Sequence, residues 1–299
     1  MRAHLILVLF ASCLSSSAER DPIRLTHGPM LGHPTANSVR VWARTSDPGE
    51  FSVHYGVRPA QLNKVSEPAV TRIEDDSTGV VELAGLKSNQ RYHYQVYVGD
   101  RPHGLPGSFL TLPSAEDTVN EEHNPKGLFN FRFQVGSCAN QNPIHGVGHR
   151  QPVYENLNKD WARKTHFHIM NGDWLYEELR EHPVEAWRLR SGIEKLPRAV
   201  EVMPTVVGVW ENYKLYLSRG HELSKWHRNV PSFFTFDDHE LVNDIWGSSE
   251  AGKRHRRTVF RDIGTYAWYD YLGWADPMEY NHPLHFGQGK MKAGSDLLV

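Results

Sequence analysis

Cysteine is nearly absent from this chain, and where its two cysteines lie decides what that excludes. Cys13 sits inside an apolar N-terminal stretch and Cys138 far beyond it. Once that stretch is removed no internal disulfide can form, so a disulfide-stapled small domain is ruled out. Long hydrophobic runs are missing too. The stretch Leu5-Ile6-Leu7-Val8-Leu9-Phe10-Ala11 falls well short of the ~20 residues of a membrane span. It follows Arg2 and precedes Ser15-Ser16-Ser17-Ala18, the order of a secretory signal, so cleavage is expected after Ala18 and the mature chain is expected to be secreted or periplasmic. Charge of one sign is also scarce. A formal net charge of -2 excludes a protein whose main task is neutralising nucleic-acid phosphates. No glycine loop of the P-loop or dinucleotide-binding kind is present, nor any internal repeat or low-complexity tract. What is present, 39% hydrophobic residues in a chain of 299, is enough for one large or two ordinary domains.

From Glu19 to Pro113 the pattern is β throughout. Val39–Arg44, Phe51–Tyr55, Val80–Leu83, Tyr92–Val98 and Ser108–Thr111 alternate or run apolar, with Gly, Pro and Asn between them, which predicts an all-β sandwich. His54 and His93 fall in such strands and are expected to face water. The stretch Leu83-Ala84-Gly85-Leu86-Lys87-Ser88-Asn89-Gln90-Arg91-Tyr92-His93-Tyr94 resembles the tyrosine corner of fibronectin type III domains, in which the phenol bonds back to the turn. Residues 114–126 are polar and acidic without apolar periodicity, a linker.

Beyond the linker, strand-like runs at Phe131–Val135, Phe167–Met170 and Ser232–Phe236 alternate with helical patterns around Val153–Trp161 and Trp210–Leu217. Such alternation predicts an α/β layered domain from 127 to 299. The aromatics of Trp210–Leu217 recur at helical spacing and are expected in the core. Each strand-like run ends in residues that can do chemistry. Gly136-Ser137-Cys138 closes the first, Asn171-Gly172-Asp173-Trp174-Leu175-Tyr176-Glu177 the second, and Phe236-Asp237-Asp238-His239-Glu240 the third. Ligands of α/β sheets sit at strand ends. Carboxylates, a phenol, a thiol and an imidazole gathered there suit a cation that activates water beside a group that can protonate a leaving oxygen. Each has a plainer alternative: Asp173 as a helix cap, Tyr176 as core, Asp237 and Asp238 as a turn. His166 and His168 have metal-like spacing, but they precede the functional end of their strand. Lys253-Arg254-His255-Arg256-Arg257 reads as a solvated helical face.

Taken together, the β-sandwich followed by Gly136-Ser137-Cys138, Gly172-Asp173-Trp174-Leu175-Tyr176-Glu177 and Asp237-Asp238-His239-Glu240, with Asn243 and Asp244 close behind, resembles the alkaline phosphatase D (PhoD-like) family of calcineurin-like metallophosphoesterases. That resemblance implies a sandwich of mixed sheets flanked by helices. It also implies hydrolysis of phosphomonoesters or phosphodiesters at a site holding ferric iron and calcium. Asp173 would bridge the metals, Cys138 and Tyr176 would bind iron, and Asp238 would stand where wider relatives place an Asn ligand. Asn243 would bind calcium, and His239 would stand near the leaving oxygen. Family members complete the site with a His or Asp-His segment far downstream. His282 and His285 come too early to supply it, so the resemblance implies a domain truncated at its C-terminal part. The alternatives are a non-catalytic fragment holding little or no metal and an extracellular β-sandwich interaction protein holding none.

Overall fold

The structure, a computed structural model, describes residues 22–128, 130–244 and 256–275, with Gly294 beyond them. The expected signal stretch, Lys253 to His255, His282 and His285 lie outside the described residues.

Eight strands come first: β1 (Leu25–Gly32), β2 (Val39–Thr45), β3 (Gly49–Gly56), β4 (Lys64–Val65), β5 (Ala69–Thr71), β6 (Thr78–Leu83), β7 (Arg91–Val98) and β8 (Arg101–Leu110). A short helix α1 (Ala115–Thr118), closed by a Ser114–Asp117 capping box, lies in the stretch expected as linker. Strands and helices then alternate: β9 (Phe133–Gly136), α2 (Pro152–Asp160), β10 (Phe167–Asn171), α3 (Val184–Ser191), α4 (Arg198–Val202), α5 (Val206–Arg219), α6 (His221–Asn229), β11 (Ser232–Thr235), α7 (Asp238–Leu241) and α8 (Arg256–Tyr271). Helix α5 buries Trp210, Tyr213, Tyr216 and Leu217, the aromatic spacing expected of a core helix.

One sheet runs β6-β2-β1-β11-β10-β9, and the other β4-β3-β7-β8 with β5 on β3. In the first sheet β6, β2 and β1 are antiparallel, whereas β11, β10 and β9 are parallel, and the pair Gly32–Ser232 joins the two halves. Residues on either side of the expected linker therefore share one sheet. Side chains alternate across a strand, and β1 and β2 use both faces. Leu31, Val39, Val41 and Ala43 pack against Phe51, Val53, Tyr94 and Phe109 of the second sheet, closing a β-sandwich. Met30 and Trp42 point the other way, into a core with Trp174, Trp210, Trp226 and Tyr271. At that junction Asp76 is fully buried and accepts from Arg44, Lys214 and Tyr271. Burial opposes its charge, but Lys214 and Arg44 outweigh it and hold the carboxyl well below the usual carboxylate range.

The parallel strands are dressed unequally. One face packs Met170 and Phe234 against the helices. On the other, Phe133 stacks on Phe167 at 5.2 Å and Phe167 meets Phe233 edge-on at 5.8 Å, while Phe133 and Val135 stay exposed.

Candidate metal centre

Because β9, β10 and β11 are parallel, their C-terminal ends open on one edge, and the loops that follow carry the three motifs. Backbone bonds zip the first two together: Cys138 N–H donates to Gly172 C=O (3.3 Å) and Ala139 N–H to Asp173 C=O (2.7 Å). Gly172 has φ +77°, and a Cβ there would lie 2.6 Å from that of Asp237. Only glycine lets the second loop approach the third so closely. Cys138 and Asp173 themselves have φ of 59° and 55°, left-handed backbone that is uncommon for residues with side chains.

Asp173 is the hub of the cluster. Its Oδ2 accepts from the Cys138 thiol at 3.3 Å and from the Tyr176 hydroxyl at 3.2 Å. Its Oδ1 is buried and has no hydrogen-bond partner. Among the described residues, ligand atoms of Asp173, Asp238 and His239 lie within 4.8 Å of one another. The Tyr176 ring lies against the His239 imidazole, centroids 4.0 Å apart. Burial, then the bond to Cys138 and the charge of Asp173, push the Tyr176 phenol well above its ordinary pKa. An orphaned carboxylate oxygen amid a thiol, a phenol, a second carboxylate and an imidazole fits a cation that would satisfy it.

Five of the six expected residues therefore gather at one point: Cys138, Asp173, Tyr176, Asp238 and His239. Asn243 lies on the turn after α7, where its N–H donates to Glu177 and its side chain to Asp244 at 3.0 Å. The plainer roles are distributed differently. No helix begins at Asp173, and Asp237 is the N-cap of α7, so Asp238 is the carboxylate left for the cluster.

Other expectations resolve away from the site. His166 Nδ1 accepts from Arg132 N–H, and His168 packs among Tyr154, Trp226 and His227. His54 lies flat on Tyr97 at 3.8 Å, partly covered. The bond expected at the tyrosine corner is present: Lys87 N–H donates to the Tyr92 hydroxyl at 2.9 Å.

Two residues without an expected role also reach the cluster. Glu177 Oε2 lies 2.8 Å from His239 Nδ1 and thereby orients the ring. Glu240, wholly buried, binds backbone on two loops. Glu240 had a legible signal, since an Asp followed three residues later by Glu is a capping box. Glu177 had none, because nothing in the sequence tells which of Glu177 and Glu178 turns towards His239.

A mixed α/β sheet whose parallel strands deliver acidic, imidazole, phenol and thiol groups to one edge defines a protein with a candidate metal site. The chain matches the family described as PhoD-like phosphatase over residues 133–290, and the N-terminal domain of that family over residues 12–113. It belongs to the PhoD-like phosphatase family. The solved structure of PhoD is 20% identical with a TM-score of 0.60, and the match covers 82% of this chain and 45% of that one. The likeness shows a shared fold, and the chain spans less than half of that protein's length. A purple acid phosphatase from yellow lupin (Lupinus luteus) seeds is 12% identical, with a TM-score of 0.48 over 82% of this chain and 40% of that one. No curated protein matches the chain.

Proposed function

We propose that the chain carries the strand-end metal ligands and the proton donor of a secreted or periplasmic phosphoesterase that hydrolyses phosphomonoesters or phosphodiesters with ferric iron and calcium. One observation carries this reading. The buried Asp173 carboxylate has one oxygen tied to Cys138 and Tyr176 and the other unpartnered, with ligand atoms of Asp238 and His239 within 4.8 Å. In that reading Asp173 would hold both cations, Cys138 and Tyr176 would bind iron, and Asp238 and Asn243 would add oxygen ligands, as the family resemblance implies. Bound cations would polarise the ester and offset the charge that builds on the phosphate oxygens. The chain's own part is to place a proton. With Nδ1 of His239 occupied by Glu177 at 2.8 Å and the ring held against Tyr176, Nε2 is the atom left to protonate the departing oxygen. The signal-like residue order around Leu5 to Ala11 supports export.

Protein purified without chelators tests the reading. Iron and calcium should be found together, with a visible charge-transfer band that Tyr176→Phe and Cys138→Ala each change. Phosphate esters should be hydrolysed. Full phosphatase activity in iron-free protein would contradict the ligand assignment, and bound metal without turnover would mark a non-catalytic form.

A further inference from the structure

We propose that Glu240 and Arg180 act as positioning residues that lock the two ligand-bearing loops together, so that metal retention depends on a carboxylate and a guanidinium that touch no metal. The inference rests on the phosphoesterase reading and extends it to residues with no expected role. Glu240 is wholly buried on α7. As the N3 residue of a capping box it needs only the N–H of Asp237, which its Oε2 accepts at 2.7 Å. It does more than cap. The same Oε2 accepts from Asp173 N–H at 3.0 Å, and Oε1 accepts from Leu175 N–H at 3.0 Å, both on the loop after β10. One side chain thus ties the backbone of Asp173 to the backbone beside Asp238 and His239.

Arg180 holds the same turn from its other end. Its guanidinium donates to the carbonyls of Leu241 and of His239, the latter at 3.2 Å, while the side chain is nearly buried. Helix α5 fixes Arg180 in turn: a Cβ on Gly208 would sit 2.2 Å from the Arg180 carbonyl oxygen, so that contact requires glycine. The turn 237–241 therefore has the N–H of Asp237 held by Glu240 and the carbonyls of His239 and Leu241 held by Arg180.

The backbone of Asp173 makes this hold consequential. Left-handed φ in a residue with a Cβ is unfavourable and persists where the surroundings impose it. The Glu240 bond to its N–H is one such imposition. Weakened, it would let Asp173 relax towards ordinary dihedrals and swing its carboxylate away from Asp238 and His239.

Glu240→Gln is the sharp variant, because it keeps the volume but replaces one acceptor oxygen with an amide that cannot accept. Wild type and variant would be dialysed against a graded EDTA series, with retained iron and calcium measured by elemental analysis and the melting temperature of the stripped proteins measured alongside. Partners of this kind shift metal affinity by roughly 10–100-fold, so the variant should lose metal at EDTA concentrations lower by that factor. Arg180→Lys, which keeps the charge but not the fork, should shift in the same direction by less. A purely structural role lowers only the melting temperature, so folded Glu240→Gln that retains metal like wild type overturns the proposal. It is equally overturned if both variants are recovered only unfolded. Wild-type protein that holds neither metal at any EDTA concentration is a separate outcome and overturns the phosphoesterase reading itself.

Discussion

Strand β10 and the loop after it carry two buried polar side chains five residues apart, His168 and Asp173, and both leave atoms without a protein partner. His168 leaves both ring nitrogens unpaired, and Asp173 leaves Oδ1. The two positions differ in their neighbours. Around His168 are the rings of Tyr154, Trp226 and His227, and His227 is itself engaged by Trp174 at 3.1 Å and Ser232 at 2.8 Å. Around Asp173 are a thiol, a phenol and the ligand atoms of Asp238 and His239. An unpaired polar atom among rings favours the neutral form, whereas the same deficit among ligands favours a cation. Apolar rings at mid-strand and polar groups at the strand end, more than burial or residue type, separate structure from chemistry here.

The largest expected effect lies at the strand-end side of this contrast. His239→Asn should slow hydrolysis of alkyl phosphate esters by roughly 10²–10⁴-fold, and of aryl esters much less, since an aryl oxide leaves without a proton. Equal losses on the two classes would remove His239 from leaving-group protonation.

Next comes the mid-strand side. Burial depresses the His168 pKa from 6.5 to about 4, and burial together with His168 also lowers that of His227. The folded state therefore binds fewer protons than the unfolded chain between pH 4 and 6.5, and stability falls as pH falls through that window. For His168 the loss is about 3 kcal/mol. Urea unfolding midpoints measured from pH 7 to pH 4 should thus drop less steeply for His168→Phe than for wild type; parallel slopes would mean that the ring is not held neutral.

The smallest effect belongs to the β-sandwich, away from both. Tyr92→Phe removes the acceptor of the Lys87 N–H and should cost about 1 kcal/mol in denaturant unfolding, with ester hydrolysis unchanged. A change in turnover would couple the corner to the site.

Period and strand-end chemistry were readable in the sequence, and contacts between distant segments were not. Alternation placed β2, β3, β6 and β7, and aromatics at helical spacing placed α5, because one buried face writes a period into the chain. Strand β1 escaped because His27-Gly28-Pro29 inside it reads as a turn, and its pairing with β2 is indeed irregular there. That strand joins the halves through Gly32 and Ser232, so the shared sheet escaped with it. At the site, Cys138, Asp173, Tyr176, Asp238 and His239 were legible as residue types at strand ends. Glu177 orienting His239, and Glu240 reaching Leu175, depend on how two loops fold against each other, which no local pattern encodes.

Metal content across the β10 contrast tests the central claim most directly. Iron and calcium per chain would be measured by elemental analysis for wild type, Asp173→Asn and His168→Phe, each shown to be folded by its melting transition. The account predicts both metals in wild type and in His168→Phe, and their loss from Asp173→Asn. Undiminished metal in Asp173→Asn, or its loss from a folded His168→Phe, would contradict it.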